Sequence, residues 1–257
     1  MRIGFDPKLF TKKSLNIFFG KTNCKYVPIK KNLVDEIWMR EKNETKNIFY
    51  VLPKHSVGEG YKSKVNKIVS ELKKRKGDYQ FITASENNAW LLNIRGGDSK
   101  YTPIPYSYIL IDRKKNIKFF CDLKKISRSF KEKFKNIRFV NINSTKIFIS
   151  NIYNKKFIID KSTCSIYFEN IILKNNKVLN QNDPIYYLKS IKTKKEIENI
   201  KKAHVYDGAA LTKYLFWIKK NFIKKKITEI SASRKLLNFR KKNKNFKFSS
   251  FPTISGT

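Results

Sequence analysis

Apolar positions along the chain alternate between the spacing of helices and the spacing of strands. From Tyr61, "YKSKVNKIVSELKKRKG" places Val65, Ile68, Val69 and Leu72 on one helical face, with Gly77 as its C-terminal stop. "DYQFIT" then predicts a short strand, and "SENNAWLL" a short helix capped by Ser85. "YSYILID" and "IKFFCD" flank the polar turn "RKKN" as a hairpin. "KKISRSFKEKF" predicts a helix, "IRFVNI" and "KFIID" strands, and "SIYFENIIL" a further helix. This alternation over residues 58–182 predicts a complete α/β domain with a mixed sheet.

The flanks read differently. In residues 1–35, "DPKLFTKKSLNIFF" predicts a short helix with Pro7 at an early position, and "CKYVPIKKNLVDEIW" an extended segment closing on a turn. That is too little to bury a core of its own. Residues 36–57 are polar and irregular, the pattern of a linker. From Thr193 a long helix is predicted to about Asn221, with Ile197, Ile200, His204, Leu211, Leu215, Ile218 and Phe222 along one stripe. Gly208 inside it implies close packing there, since glycine lowers helix propensity by roughly 1 kcal/mol. A second helix is expected over about 228–242, and "NFKFSSFPTISGT" predicts a terminal strand. Residues 183–257 therefore read as the opening of another domain.

Composition narrows the function classes. The chain has 257 residues, 40% of them apolar, including 20 Phe and 13 Tyr, which is ample for real cores. No apolar run approaches the roughly 20 residues needed to cross a bilayer, and no signal peptide is visible at the N-terminus. The 3 cysteines, Cys24, Cys121 and Cys164, are too dispersed for a disulfide framework or a Cys-x-x-Cys metal site. A cytoplasmic setting without a membrane partner follows as the expectation. The net charge of +37 comes from 57 basic against 20 acidic residues and suggests a polyanion binder. Most of the basic residues are Lys, however, in short scattered runs, whereas Arg supplies the bidentate phosphate and base contacts. No specific nucleic-acid partner is expected.

Four stretches in order resemble the three-domain Xaa-Pro aminopeptidases, the aminopeptidase P group of the creatinase/prolidase-like metallopeptidases. "NNAWLLNIRGGDSKYTPIPYSYILI" (87–111) resembles the signature of their second domain, while "RIGFDPKLFT" and "VPIKKNLVDEIW" resemble the tail of their first. "EIENIKKAHVYDGAALTKYLFWI", then "TEISASRKLLNFR" and "SSFPTISGT", resemble the start of their catalytic domain. The resemblance implies a creatinase N-terminal-like mixed-sheet domain, followed by the first helices and strand of an incomplete pita-bread catalytic domain. It implies a hydrolase that removes the N-terminal residue from Xaa-Pro peptides with two metal ions, usually Mn²⁺, about 3.5–4 Å apart. It also implies a homodimer. The family's ligands (two Asp, one His, two Glu) and a substrate-binding His follow the "SFPTIS" strand. The chain is thus expected to be an internal fragment, with no catalytic or metal-binding residue of its own and no peptidase activity by itself.

Three residues remain as substrate-side or interface candidates. His204 is of the type used as base or ligand, but no carboxylate constellation surrounds it, so a packed histidine on the stripe is the plainer reading. Asp207 reads as a helix or interface polar group, and His55 as a surface residue. Arg95 and Asp98 bracket two glycines in "IRGGD": either a loop facing the substrate cleft or a partner subunit, or a turn held by an Arg–Asp pair. The loop lacks phosphate-cradle spacing. Trp90 and Trp217 read as core, and Ser249, Ser250 and Ser255 have no adjacent base to make a nucleophile. The alternative function is a non-catalytic interaction module derived from such a peptidase.

Overall fold

The computed structural model describes residues 1–38, 47–224 and 226–254. Two compact units are present: residues 1–52, 59–98 and 104–191 form one, and residues 53–58, 99–103 and 192–257 the other. These limits fall elsewhere than at residues 35, 57 and 182.

The first unit is built on a six-stranded mixed sheet. Its strands are β4 (Tyr79–Ile82), β6 (Tyr108–Asp112), β7 (Ile117–Cys121), β8 (Ile137–Asn141), β9 (Lys156–Ile159) and β10 (Lys177–Asn180), ordered β10-β9-β4-β6-β7-β8. Only β6 runs against the others, antiparallel to both β4 and β7, while β10–β9, β9–β4 and β7–β8 pair in parallel. Alternate residues of each strand enter separate cores, which is why the strand sequences are nearly continuously apolar. On one face, Ile82, Ile109, Ile111, Ile117 and Phe119 pack with α3 (Tyr61–Lys74), α4 (Ser85–Leu92), α5 (Arg128–Lys133) and Ile185 of α8 (Pro184–Ser190). On the other, Phe81, Leu110, Phe120 and Phe157 pack with α6 (Thr145–Ser150) and α7 (Ile166–Leu173).

The hairpin, α3, α5, α7 and the strands over 79–82, 137–141 and 156–159 lie where the pattern puts them. Helix α4 is capped at Ala84 without a side-chain bond, and Ser85 is its first residue. At the end of α3 the left-handed residue is Lys76 (φ 56°), and no glycine among the described residues has positive φ. Gly77 serves close approach instead: a Cβ there would lie 2.7 Å from the Ile158 side chain. Elements β10, α6 and α8 were not expected; α8 starts at Asp183 as N-cap with Pro184 behind it.

Residues 1–38 also depart from expectation. Strand β1 (Arg2–Phe5) precedes the helix and pairs in parallel with β2 (Lys25–Pro28). Helix α1 spans Lys12–Phe19 behind a Thr11–Ser14 capping box, so Pro7 lies outside it. This segment leans on α7. The Ile166 and Tyr167 amides donate to the carbonyls of Phe10 and Pro7, both at 2.9 Å, and Lys12 pairs with the buried Glu169 carboxylate at 2.9 Å. The expected linker, residues 36–57, begins inside α2 (Leu33–Ile37) and holds the buried Phe49 and β3 (Tyr50–Val51), which pairs with β5 (Ile94–Arg95). Its residues 39–46 lie outside the described residues.

The second unit holds α9 (Lys194–Asn221) and α10 (Glu229–Lys241), opened by the capping boxes Thr193–Glu196 and Thr228–Ser231. Residues 53–58 join α9 through the Asn199 side chain, which donates to the His55 carbonyl at 3.1 Å. Of these helices only Ala210 and Ala232 are buried. The stripe Ile197, Ile200, Leu211, Leu215 and Phe222 is exposed, and a Cβ on Gly208 would meet nothing within 4 Å, so no packing explains that glycine here. No strand forms over residues 245–254. An extended segment needs a neighbour for its backbone groups, and the described residues of this unit offer no strand to pair with it.

Candidate functional site

Arg95 and Asp98 are both tied into the first unit, but not to each other. Arg95 ends β5, and its guanidinium Nη1 donates to the carbonyls of Ile94 (2.8 Å) and Ala89 (3.2 Å), the latter in the last turn of α4. Asp98 Oδ2 accepts the Tyr106 amide at 2.7 Å, and Oδ1 pairs with Lys125 Nζ in a 3-10 turn (Leu123–Lys125). The Asp98 carboxylate is 3% exposed, so an unpaired charge there would be costly, and Lys125 neutralises it. The expected Arg–Asp pair is therefore replaced by a pair with a residue 27 positions away. Gly96 is required for approach: a Cβ would sit 2.9 Å from the Phe49 ring and 3.0 Å from Pro105. Sequence spacing gives no sign of Lys125, because the partner comes from a different element.

In the second unit His204 is exposed on α9, not packed. Three residues on, Asp207 takes both nitrogens of the Arg240 fork from α10, Nε at 2.7 Å and Nη2 at 3.1 Å. This bidentate geometry fixes the helix pair and occupies both Asp207 oxygens. Trp217 is half-buried and lies with Phe216 and Phe239 along a groove, where Lys235 Nζ sits 5.3 Å from both the Trp217 and Phe239 rings. His55 is exposed, as expected. Ser249 and Ser250 show no base partner, and Ser255 lies outside the described residues.

A third cluster went unnoticed in the sequence. At the carboxyl ends of β4 and β9, the buried residues Gln80, Asn87, Asp160 and Asp183 form one polar network. Asp183 accepts from Gln80 Nε2 (3.2 Å), Asn87 Nδ2 (2.7 Å) and its own helix at the Ile185 amide (3.0 Å). Its amide donates to Asp160 Oδ2 at 2.9 Å, and Lys189 Nζ donates to Asn87 Oδ1 at 2.6 Å. Burial, opposed by the bonds from Ile185 and Asn87, pushes the Asp183 carboxyl above the usual range, and Asp160 adds to the rise. "NDP" ahead of an apolar run is a helix start, and that signal could have drawn attention to Asp183. Buried Lys64 is a second surprise, lying 4.0 Å over the Trp90 ring and donating to Asn93 Oδ1 at 2.6 Å.

Among the described residues, no group of three or more His, Cys, Asp and Glu side chains is placed to hold a metal ion, and no helix is long and apolar enough to cross a membrane. With Asp207 engaged by Arg240, the residues around His204 do not fit a dinuclear metal centre.

Residues 40–196 match the profile described as "Creatinase/Prolidase N-terminal domain". The chain is 30% identical over 274 residues to a probable Xaa-Pro aminopeptidase P of Pyrenophora teres f. teres (strain 0-1), covering 99% of this chain and 42% of that protein. It is 28% identical over 265 residues to the Xaa-Pro aminopeptidase ApepP of Drosophila melanogaster, covering 99% of this chain and 43% of that one. The chain thus spans less than half the length of these curated relatives. An X-prolyl aminopeptidase from Caenorhabditis elegans, described as a cytosolic enzyme with a di-nuclear active site, superposes with a TM-score of 0.89 at 28% identity. That match covers 99% of this chain and 43% of that one. The Xaa-Pro dipeptidase from Bacillus anthracis shares the fold at a TM-score of 0.52 and 18% identity, over 71% of this chain and 49% of that one. With more than half of its residues under the family profile and its mixed sheet repeated in these structures, the chain belongs to the creatinase/prolidase N-terminal domain family.

Proposed function

We propose that these residues form the non-metal portion of a metal-dependent Xaa-Pro aminopeptidase that acts in the cytosol on peptides with proline second. The supporting observation is the TM-score of 0.89 against the Caenorhabditis elegans enzyme, over 99% of this chain. In this reading residues 58–182 are the second domain, residues 1–35 the tail of a first, and residues 183–257 the start of the catalytic one. The two divalent ions, Mn²⁺ on the family pattern, belong to residues outside those described, and the complete enzyme is a homodimer. His204, exposed on α9, is the substrate-side candidate, while Arg95 and Asp98 shape their loop from within. Antibodies raised against the first unit should deplete Xaa-Pro cleavage from an extract of the native cells; undiminished cleavage would overturn the assignment. Purified residues 1–257 with Mn²⁺ should leave an Xaa-Pro peptide intact, and turnover would show that a metal site assembles within them.

The exposed apolar residues of α9 and α10, among them Val205, Leu215, Phe216 and Ile230, favour one alternative: a module that docks a protein partner without catalysis. Depletion that removes the protein but leaves the cleavage activity whole is the result this alternative requires.

A further inference from the structure

We propose that Asp183 is a proton-linked latch holding α8 on the sheet, with Gln80 as the acceptor that receives its proton. The carboxylate sits at the N-terminus of α8, is 5% exposed, and takes three hydrogen bonds, from β4, α4 and α8. The charge is enclosed from every side. Asp160 at the end of β9 lies one hydrogen bond away through the Asp183 amide. Lys189 of α8 donates to Asn87 Oδ1, and its charge opposes the rise at Asp183, while Glu86 of α4 is held by the Tyr186 hydroxyl of α8 at 2.9 Å. From the end of α3, Arg75 Nη1 donates to the Asn182 carbonyl at 2.8 Å, next to the latch but not to its carboxylate. Asp183 therefore has amide donors around it, a second carboxylate beside it, and no cation in direct contact among its hydrogen bonds.

Gln80 completes the device. Its Nε2 donates to Asp183 Oδ1, while its Oε1 is buried with no hydrogen-bond partner. Buried amide oxygens are rarely left so. A half-turn of the amide brings Oε1 to Oδ1, where it accepts the proton of a neutral carboxyl. Each form leaves one Gln80 amide atom unpartnered, so the turn alone favours neither, and the buried charge decides. The rise in the Asp183 carboxyl's proton affinity agrees with this. For a carboxyl raised in the folded state, the folded chain binds more protons than the unfolded one, so stability falls as pH rises through the folded value. By this carboxyl's contribution, segment 183–191 is held most firmly below the ordinary value of 3.8 and loosens as pH rises through the higher folded value.

The test follows the Asp183 side-chain carboxyl by carbon NMR across pH 3 to 8 in residues 1–257, with melting curves of wild type and Asp183→Asn over the same range. The expected result is a carboxyl titrating above 3.8 and a Tm difference between variant and wild type that shifts in the variant's favour with rising pH. Any pH-independent cost of the substitution cancels in that slope. Titration at or below 3.8, read on the wild type alone, overturns the latch even where Asp183→Asn fails to fold. A slope unchanged by the substitution overturns it equally.

Discussion

Replacing Ile185 by Ala tests whether α8 is a structural part of the sheet unit. Ile185 is 0% exposed and packs in the same cluster as Val65 and Ile68 of α3 and Leu91 of α4. The substitution removes three carbons, at about 0.8 kcal/mol each for transfer alone, or about 2.4 kcal/mol. The cavity left behind adds to this, and measured Ile→Ala losses run about 2–5 kcal/mol. Alanine's better helix propensity returns a few tenths. The net expectation is about 3 kcal/mol, and with a urea dependence of roughly 1–3 kcal/mol/M the midpoint should fall by at least about 1 M. Far-UV circular dichroism in a urea titration measures it, with Val205→Ala as the control. Val205 is 71% exposed on α9, so its loss should stay within about 0.5 kcal/mol. If the two variants shift alike, α8 is not seated in the core and the packing account fails.

Lys125→Met should destabilise the first unit by about 3 kcal/mol, because it strands the Asp98 carboxylate; adding Asp98→Asn should recover part of that in a double-mutant cycle. A loss under about 0.5 kcal/mol in denaturant titration would show that the pair carries no weight. Gly208→Ala should raise the stability of α9 by up to about 1 kcal/mol, since its Cβ position is open; a lowered melting temperature would reveal something packed there. At pH 8 Cys24 should react with a thiol reagent well before Cys121 and Cys164. Burial pushes the Cys121 thiol up to about 12 and Cys164 higher than its ordinary value, so the reactive thiolate of each is scarce. Three equally fast thiols would contradict the burial of both.

The parts of the fold legible in the sequence were those written locally. Helix α3 showed its buried face, the "RKKN" turn its hairpin, and Thr193 and Thr228 the starts of α9 and α10, because periodicity and capping act over a few residues. What stayed hidden depends on distant partners. Strand β1 is four residues long and exists through its pairing with β2, more than twenty positions on. Helix α6, "TKIFIS", is rich in β-branched residues, and tertiary packing of Ile149 overrides that preference. The opposite failure occurred at residues 245–254, where alternation promised a strand but the described residues of that unit offer no partner strand to complete it. The same limit applies to the sites. "IRGGD" marked a constrained loop, yet neither Lys125 beside Asp98 nor Gln80 beside Asp183 could be read without the fold.

The sheet's order also sets a schedule for the chain as it is made. Strand β4 lies between β6 and β9, and β6 follows it within about thirty residues, so one edge is closed early. The other waits for β9: Tyr79 pairs with Phe157, 78 positions later (157 − 79). At roughly 5–20 residues per second of synthesis, that is about 4–16 s in which β4 carries an open edge beside Phe81 and Ile82. Such an edge is a template for pairing with another nascent chain. The hairpin β6–β7 forms from neighbours, and its outer edge on β7 waits only for β8, where Ile117 pairs with Ile137, whereas a slowed stretch between residues 112 and 156 would prolong the exposure of β4. Yield on expression should therefore be more sensitive to translation speed in that interval than to any single contact in the finished sheet.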